Sequence, residues 1–255
     1  MLSQKEKAQR FRALHVAGDP LVLFNVWDAG SAGAVAASGA RALATGSWSV
    51  AAANGYPDGE RLPLDFALDN LARIVRATEL PLSFDIESGY GDAPDVVART
   101  VERTIAAGAI GCNLEDSFPA DGTLRAIDAH AARIRQARKA ADATLPEYFI
   151  NARTDVFFQK GVAHDEAALE LAIARAHAYA EAGASGIFVP GLADEGLIAQ
   201  LVKASPLPVN IMVGANTPPL PRLAALGVAR VSHGPGPYLL AMKALEAAAR
   251  AALER

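Results

Sequence analysis

Eight short apolar runs, each closing on polar residues, recur along this chain, and a helix-like segment follows every one. The runs are LVLFNVWD (21–28), ARALATGS (40–47), LSFDIES (82–88), IGCNLEDS (110–117), EYFINARTD (147–155), SGIFVPG (185–191), PVNIMVG (208–214) and ARVSHG (229–234). Stretches rich in Ala, Leu and Arg separate them, at about 31–38, 64–78, 94–107, 127–142, 166–182, 194–203, 218–225 and 236–254. Strands buried on both faces read as such unbroken apolar runs, which is the habit of parallel sheets. Pro94 fits the first position of a helix, and Ala-Gly-Ala at 107–109 and at 182–184 puts glycine where helices end. Eight strand–helix units in 255 residues without a linker predict one (β/α)8 barrel domain spanning 1–255. A doubly wound open sheet is the rival, but it usually carries a glycine-rich phosphate turn after its first strand. The glycine spacing of NVWDAGSAGAV is wrong for that turn.

In a barrel, the C-terminal ends of the strands form the mouth where chemistry sits. The polar residues there are Asn25, Asp28, Ser47, Ser49, Asp85, Glu87, Ser88, Asn113, Glu115, Asp116, Asn151, Arg153, Asp155, Asn210, Ser232 and His233. Strand alternation sends positions i and i+2 to one side. It therefore pairs Asp85 with Glu87, Asn113 with Glu115, and Asn151 with Arg153. Three carboxylates, Asp85, Glu87 and Glu115, would then lie close together, which is costly unless a cation joins them. Oxygen donors without a His or Cys cluster suit a hard ion, Mg²⁺ or Mn²⁺. The fork of Arg153 suits a substrate carboxylate or phosphate, or equally an ion pair with Glu115 or Asp155. His233 is an acid/base candidate or a capping residue. Trp48 and Tyr90 read as pocket walls or ordinary packing, and Cys112 as a small core residue. The segments 47–63 and 117–126 follow strand ends and are longer than a connection needs.

Composition narrows the partners. A net charge of −4 with scattered Lys and Arg gives no footprint for nucleic acid. The single cysteine rules out an internal disulfide. The charged opening MLSQKEKAQRFRALH has no apolar core of a signal peptide, and no apolar run nears the ~18 residues of a membrane span. These features predict a cytoplasmic protein with no nucleic-acid or membrane partner.

Five motifs then stand in order: FNVWDAGSA, TGSWSVAAANGYPDG, DIESGYGD, NLEDS and NARTD. Together they resemble the phosphoenolpyruvate mutase/isocitrate lyase superfamily, over about residues 20–240. The resemblance implies a modified (β/α)8 barrel whose last helix, here 236–254, is exchanged between subunits of a dimer or tetramer. It implies Mg²⁺, a small α-oxo or α-hydroxy carboxylic acid, and an enolate-type intermediate. Asp85 would bind the metal directly, with Glu87, Glu115 and Asp58 around it through waters. Ser47 and the Gly46–Trp48 backbone would hold the substrate carboxylate, and Arg153 would bind the substrate oxygens opposite. Asn210 and His233 carry over to the edge of the pocket. The loop after the fourth strand, SFPADGTLRA, departs from the family. It lacks the Cys of the isocitrate-cleaving members and the Lys and Asn of the phosphonate-active ones. The leading expectation is therefore a Mg²⁺-dependent carbon–carbon lyase or decarboxylase of a small α-oxo or α-hydroxy di-acid. P–C chemistry on phosphonopyruvate is the alternative, and a binding protein without turnover is another.

Overall fold

In the computed structural model, which describes residues 2–254, eight parallel strands wrap into a nearly closed barrel. They are β1 (Leu21–Leu23), β2 (Leu43–Ala44), β3 (Leu82–Asp85), β4 (Gly111–Glu115), β5 (Phe149–Arg153), β6 (Gly186–Phe188), β7 (Val209–Met212) and β8 (Arg230–Ser232). Hydrogen bonding runs in the order β1-β8-β7-β6-β5-β4-β3-β2. The seam between β1 and β2 is drawn together just past their ends. There Val26 donates its N–H to Ala44 (2.9 Å), and Gly46 donates to Val26 (3.3 Å). The expected domain, 1–255, extends one residue beyond the described range at each end. Among the described residues, no helix is long and apolar enough to cross a membrane.

The helices are α1 (Gln4–Ala13), α2 (Ala29–Ala37), α3 (Ser47–Ala53), α4 (Leu64–Ala77), α5 (Pro94–Ala106), α6 (Ile127–Thr144), α7 (Glu166–Glu181), α8 (Glu195–Ala204), α9 (Leu220–Ala225) and α10 (Gly236–Leu253). Each of the eight expected helices is present, and Pro94 opens α5 as the sequence suggests. Two more, α1 and α3, lie outside that set. Helix α1 begins with a Ser3–Glu6 capping box, in which each side chain bonds the other residue's backbone. Helix α3 opens on Gly46 with no side-chain cap, so the sequence carries no start signal for it.

The helices bury one stripe each against the outside of the barrel. Val97, Val101 and Ile105 of α5, Ile134 and Ala137 of α6, and Leu71 and Ile74 of α4 are fully or almost fully buried. Each of these Val, Leu and Ile side chains contributes about 1.5–3 kcal/mol on burial. The barrel's N-terminal end is closed by α1. Its Phe11 meets the ring of Phe149 edge-on at 5.5 Å and lies 5.8 Å from the Arg230 guanidinium. Those two residues begin β5 and β8, so one phenyl ring spans that end of the barrel. Gly111 is required where β4 meets β5, because a Cβ there would sit 2.6 Å from the Phe149 carbonyl oxygen. Cys112 is a buried core residue on β4, its thiol pushed up to about 12 by burial.

Inside the barrel the strands carry polar side chains. Asn151 donates to the Asn113 Oδ1 at 2.9 Å, and the buried Arg230 donates to the same oxygen at 3.2 Å. This polar layer links β4, β5 and β8 beneath the mouth.

Candidate active site

At the C-terminal end of the barrel lies a cavity of about 190 Å³. Asn25, Gly46, Ser47, Trp48, Asp58, Asp85, Asn113, Arg153, Ser232 and Gly234 line it, and Phe158, Phe188, Met212 and Pro235 complete its wall. Asp85 is the last residue of β3, so the ladder fixes its backbone while its side chain reaches the mouth. Its Oδ2 accepts the Ser47 N–H at 3.3 Å, and its Oδ1 accepts the Glu87 N–H at 3.2 Å.

The next turn corrects a geometric expectation. Strand β3 ends at Asp85, and Glu87 takes a left-handed conformation with φ of 51°. Strand alternation therefore does not govern Glu87. What positions it is a crossed clamp between two loops. The Glu87 Oε2 accepts the N–H groups of Gly59 (2.8 Å) and Glu60 (2.6 Å). In return the Glu60 Oε1 accepts from Ser88 Oγ (2.7 Å) and the Tyr90 N–H (2.7 Å). Tyr90 is also left-handed, with φ of 58°. Such backbone costs of order 1–3 kcal/mol per residue and persists because surrounding bonds over-determine it. Arg133 of α6 supplies some of them, donating to the carbonyls of Ser88, Gly91 and Asp92. The clamp delivers Asp58 to the same cavity wall as Asp85.

The result is a crowd of acids in a dry place. Burial, and then the charges of Asp58 and Asp85, push the Glu87 carboxyl up to about 8. Burial and the neighbouring Asp85 also raise Asp58. Burial pushes the Glu115 carboxyl up, against the pull of Arg153. Asp85 and Glu87 share a small pocket of about 10 Å³ beside the main cavity, a gap the size of one water.

Arg153 stands opposite. It ends β5 in register with Glu115 of β4, and that pairing sets up the ion pair between their side chains at 2.7 Å. Its Nε and Nη2 reach the two oxygens of Asp155 at 2.6 and 3.0 Å. Burial works against the guanidinium's charge, but Glu115 and Asp155 outweigh it and hold Arg153 firmly cationic. The ion-pair reading of this residue is thus realised with both partners. A guanidinium carries five N–H groups, so its outer edge can still reach a ligand.

The remaining candidates divide. Gly46, Ser47, Trp48, Asp58, Asp85 and Arg153 face the cavity, whereas Glu87, Glu115, Asn210 and His233 are not among its lining residues. Asn210 is buried, its Oδ1 accepting from Ser232 Oγ at 2.9 Å. The His233 ring turns to the Leu23 carbonyl (3.2 Å) and lies 5.0 Å from the Phe24 ring. The backbone N–H of His233, like that of Gly234, donates to Asn25 Oδ1. The His233 ring thus packs against the end of β1 and is not among the cavity's lining residues. Sequence reasoning set Asn25, Asn113 and Ser232 among the strand-end polar residues without assigning them to the site. Phe158, Phe188 and Met212 escaped notice because apolar residues near strand ends read as core.

Among the described residues, no group of three or more His, Cys, Asp or Glu side chains is close enough to hold a metal by themselves. That argues against a dedicated protein cage. It fits an ion that keeps most of its waters and takes one or two carboxylates, which is how Mg²⁺ binds. The donors are all oxygen, and the raised carboxyls would be relieved by a positive charge among them.

The fold is a TIM-type (β/α)8 barrel with an acid-lined cavity at the C-terminal ends of its strands. The chain belongs to the phosphoenolpyruvate phosphomutase family, whose model matches residues 11–253, and so to the PEP mutase/isocitrate lyase superfamily. It is 32% identical over 225 residues to the 2-methylisocitrate lyase of Escherichia coli, covering 85% of this chain and 74% of that one. It is 35% identical over 195 residues to the oxaloacetate decarboxylase of Pseudomonas fluorescens, covering 74% of this chain and 64% of that one. A crystal structure of a Burkholderia cenocepacia protein, provisionally assigned as a phosphonomutase, superposes with a TM-score of 0.95 at 60% identity, covering 98% of this chain and all (100%) of that one.

Proposed function

We propose that this protein is a Mg²⁺-dependent carbon–carbon lyase or decarboxylase that acts on a small 2-oxo or 2-hydroxy di-acid through an enolate-type intermediate. The observation that carries the reading is the composition of the cavity: two carboxylates, Asp58 and Asp85, share it with one arginine, and among the described residues no Cys, His or Lys lines the wall. Asp85 would hold the ion, with Asp58, Glu87 and Glu115 in the surrounding shell; Mn²⁺ is the other ion that suits the donors. When bound, the ion supplies Lewis-acid stabilisation of the charge that develops on the 2-oxo oxygen.

The chain's own residues do the rest. Gly46, Ser47 and Trp48 line the cavity at the start of α3 and would meet a ligand carboxylate there, the Ser47 N–H exchanging its bond to Asp85 for one to the ligand. The outer edge of Arg153 takes oxygens on the opposite side, held in place by Glu115 and Asp155. Loss of CO₂ from C4 of a 2-oxo di-acid leaves the electron pair of the broken C3–C4 bond in the C2–C3 enolate, which takes a proton from water at C3. No acid is needed for the leaving group, and among the described residues no Cys, His or Lys lines the cavity. Purified protein with Mg²⁺ should release CO₂ or pyruvate from a panel of such acids, and Asp85→Ala should lower the rate by about 10²-fold or more. Absence of turnover across the panel, with oxalate still bound, would favour a binding protein instead. One finding favours a second reading: the 60%-identical Burkholderia cenocepacia protein is provisionally a phosphonomutase. Phosphorus NMR of a phosphonopyruvate incubation separates P–C from C–C chemistry.

We also propose a homodimer or homotetramer built by exchange of α10. Along α10, Leu239, Leu240, Met242, Leu245 and Leu253 are exposed, and Pro237 is its one buried residue among those described. The same barrel carries an apolar groove of about 600 Å³ between β1 and α2, lined by Leu21, Val22, Phe24, Ala34 and Val35. The groove and the helix are mutually suited, and a second copy of the chain is the occupant the pairing implies.

A further inference from the structure

Part of the cavity's lining is apolar. Trp48, Phe158, Phe188 and Met212 contribute large apolar side chains to it. Two of these rings flank the arginine, Phe158 at 5.7 Å and Phe188 at 6.0 Å from the Arg153 guanidinium carbon. Trp48 sits at the rim, edge-on to the Tyr238 ring at 5.9 Å. Among the described residues, Arg153 is the only basic one lining the cavity, and Glu115 and Asp155 already face it.

We infer that this wall selects a di-acid bearing an uncharged, apolar branch and rejects one bearing a third anionic group. The inference rests on the proposed binding of a carboxylic acid at Asp85 and Arg153, and it specifies what the rest of that acid is. The metal side and the outer edge of Arg153 together answer two carboxylates. A third carboxylate or a phosphonate against this part of the lining would meet phenyl faces, which carry partial negative charge, and the one cation beside them, Arg153, is already paired with Glu115 and Asp155. An alkyl branch there gives up only apolar surface to water-free contact, which is favourable. The space is only about 190 Å³. Bulk is therefore limited as well, and a matched pair of ligands must hold size constant.

3-Isopropylmalate and isocitrate are such a pair, because they differ in an isopropyl against a carboxymethyl branch of nearly the same size. Each would be titrated against oxalate bound to the Mg²⁺-loaded full-length protein by calorimetry. The expected result is tighter displacement by 3-isopropylmalate, by about tenfold or more. Phe158→Lys puts a cation at the wall at a half-exposed position, so it leaves the core intact. It should narrow or invert that ratio. Equal or tighter binding of isocitrate to the unaltered protein overturns the inference, as does an unchanged ratio in Phe158→Lys. If oxalate fails to bind with Mg²⁺, the acid-binding reading itself falls and takes this one with it. If oxalate binds and the preference is missing, only the apolar wall is refuted.

Discussion

Glu87 carries the chemistry of this site in miniature. Its carboxylate is buried, accepts two backbone N–H bonds from the 59–60 loop, and is pushed from 4.5 up to about 8, chiefly by burial. A group whose folded value is raised binds its proton more tightly in the folded state than in the unfolded one. Its contribution to stability is present below about pH 4.5 and drains away as pH climbs through about 8. Glu115 shifts in the same direction. Metal-free protein should therefore melt at progressively lower temperature between about pH 5 and 8, and Glu87→Gln should flatten that decline. Scanning fluorimetry in chelator across that range reads the slope directly. A flat profile in the unaltered protein would mean that Glu87 is ionised without cost. The residue also marks a boundary of what sequence shows. Asp85 and Arg153 were legible because polar residues ending apolar strands stand out. The facing of Glu87 was not, since the chain leaves β3 at Asp85 and turns left-handed two residues later. The Ser-Gly-Tyr-Gly that follows hinted at such a turn.

At the scale of elements, register does more than proximity. The Cα pairing of Glu115 with Arg153, and of Asn113 with Asn151, is a consequence of how closely β4 and β5 approach. Gly111 permits that approach, because any Cβ would strike the Phe149 carbonyl, which is backbone and cannot swing away. Gly111→Ala should thus cost about 1–3 kcal/mol and loosen the Arg153–Glu115 pair along with the strands. Urea denaturation measures the first effect, and a weakened affinity for oxalate the second. Stability unchanged within a few tenths of a kcal/mol would refute the close-packing account. The eight strand–helix alternations were readable because unbroken apolar runs closing on polar residues alternate with Ala-, Leu- and Arg-rich stretches. Helix α3 was not, for its start is a glycine with no capping side chain and its seven residues are mostly small. The apolar wall was also hidden. Phe188 and Met212 lie on strands, where an apolar residue says core whether or not it faces a cavity.

The whole molecule joins a rigid barrel to an exposed helix. Nearly all of α10 faces solvent, although it carries a row of leucines. If a second copy covers that row, Leu240→Glu combined with Leu245→Glu should reduce the particle to a monomer in light scattering, and a monomer before substitution would refute the exchange. The barrel itself brings Asp58, Asp85 and Arg153 from three separate parts of the chain to one cavity. The account stands on the claim that a hydrated divalent ion is anchored there by Asp85. Crystals grown with Mn²⁺ and oxalate test it most directly through the ion's anomalous signal. The account predicts one strong peak bonded to an Asp85 oxygen and to oxalate, and no peak in the Asp85→Ala protein. A peak elsewhere in the barrel, or oxalate bound at Arg153 with no ion beside Asp85, would contradict it.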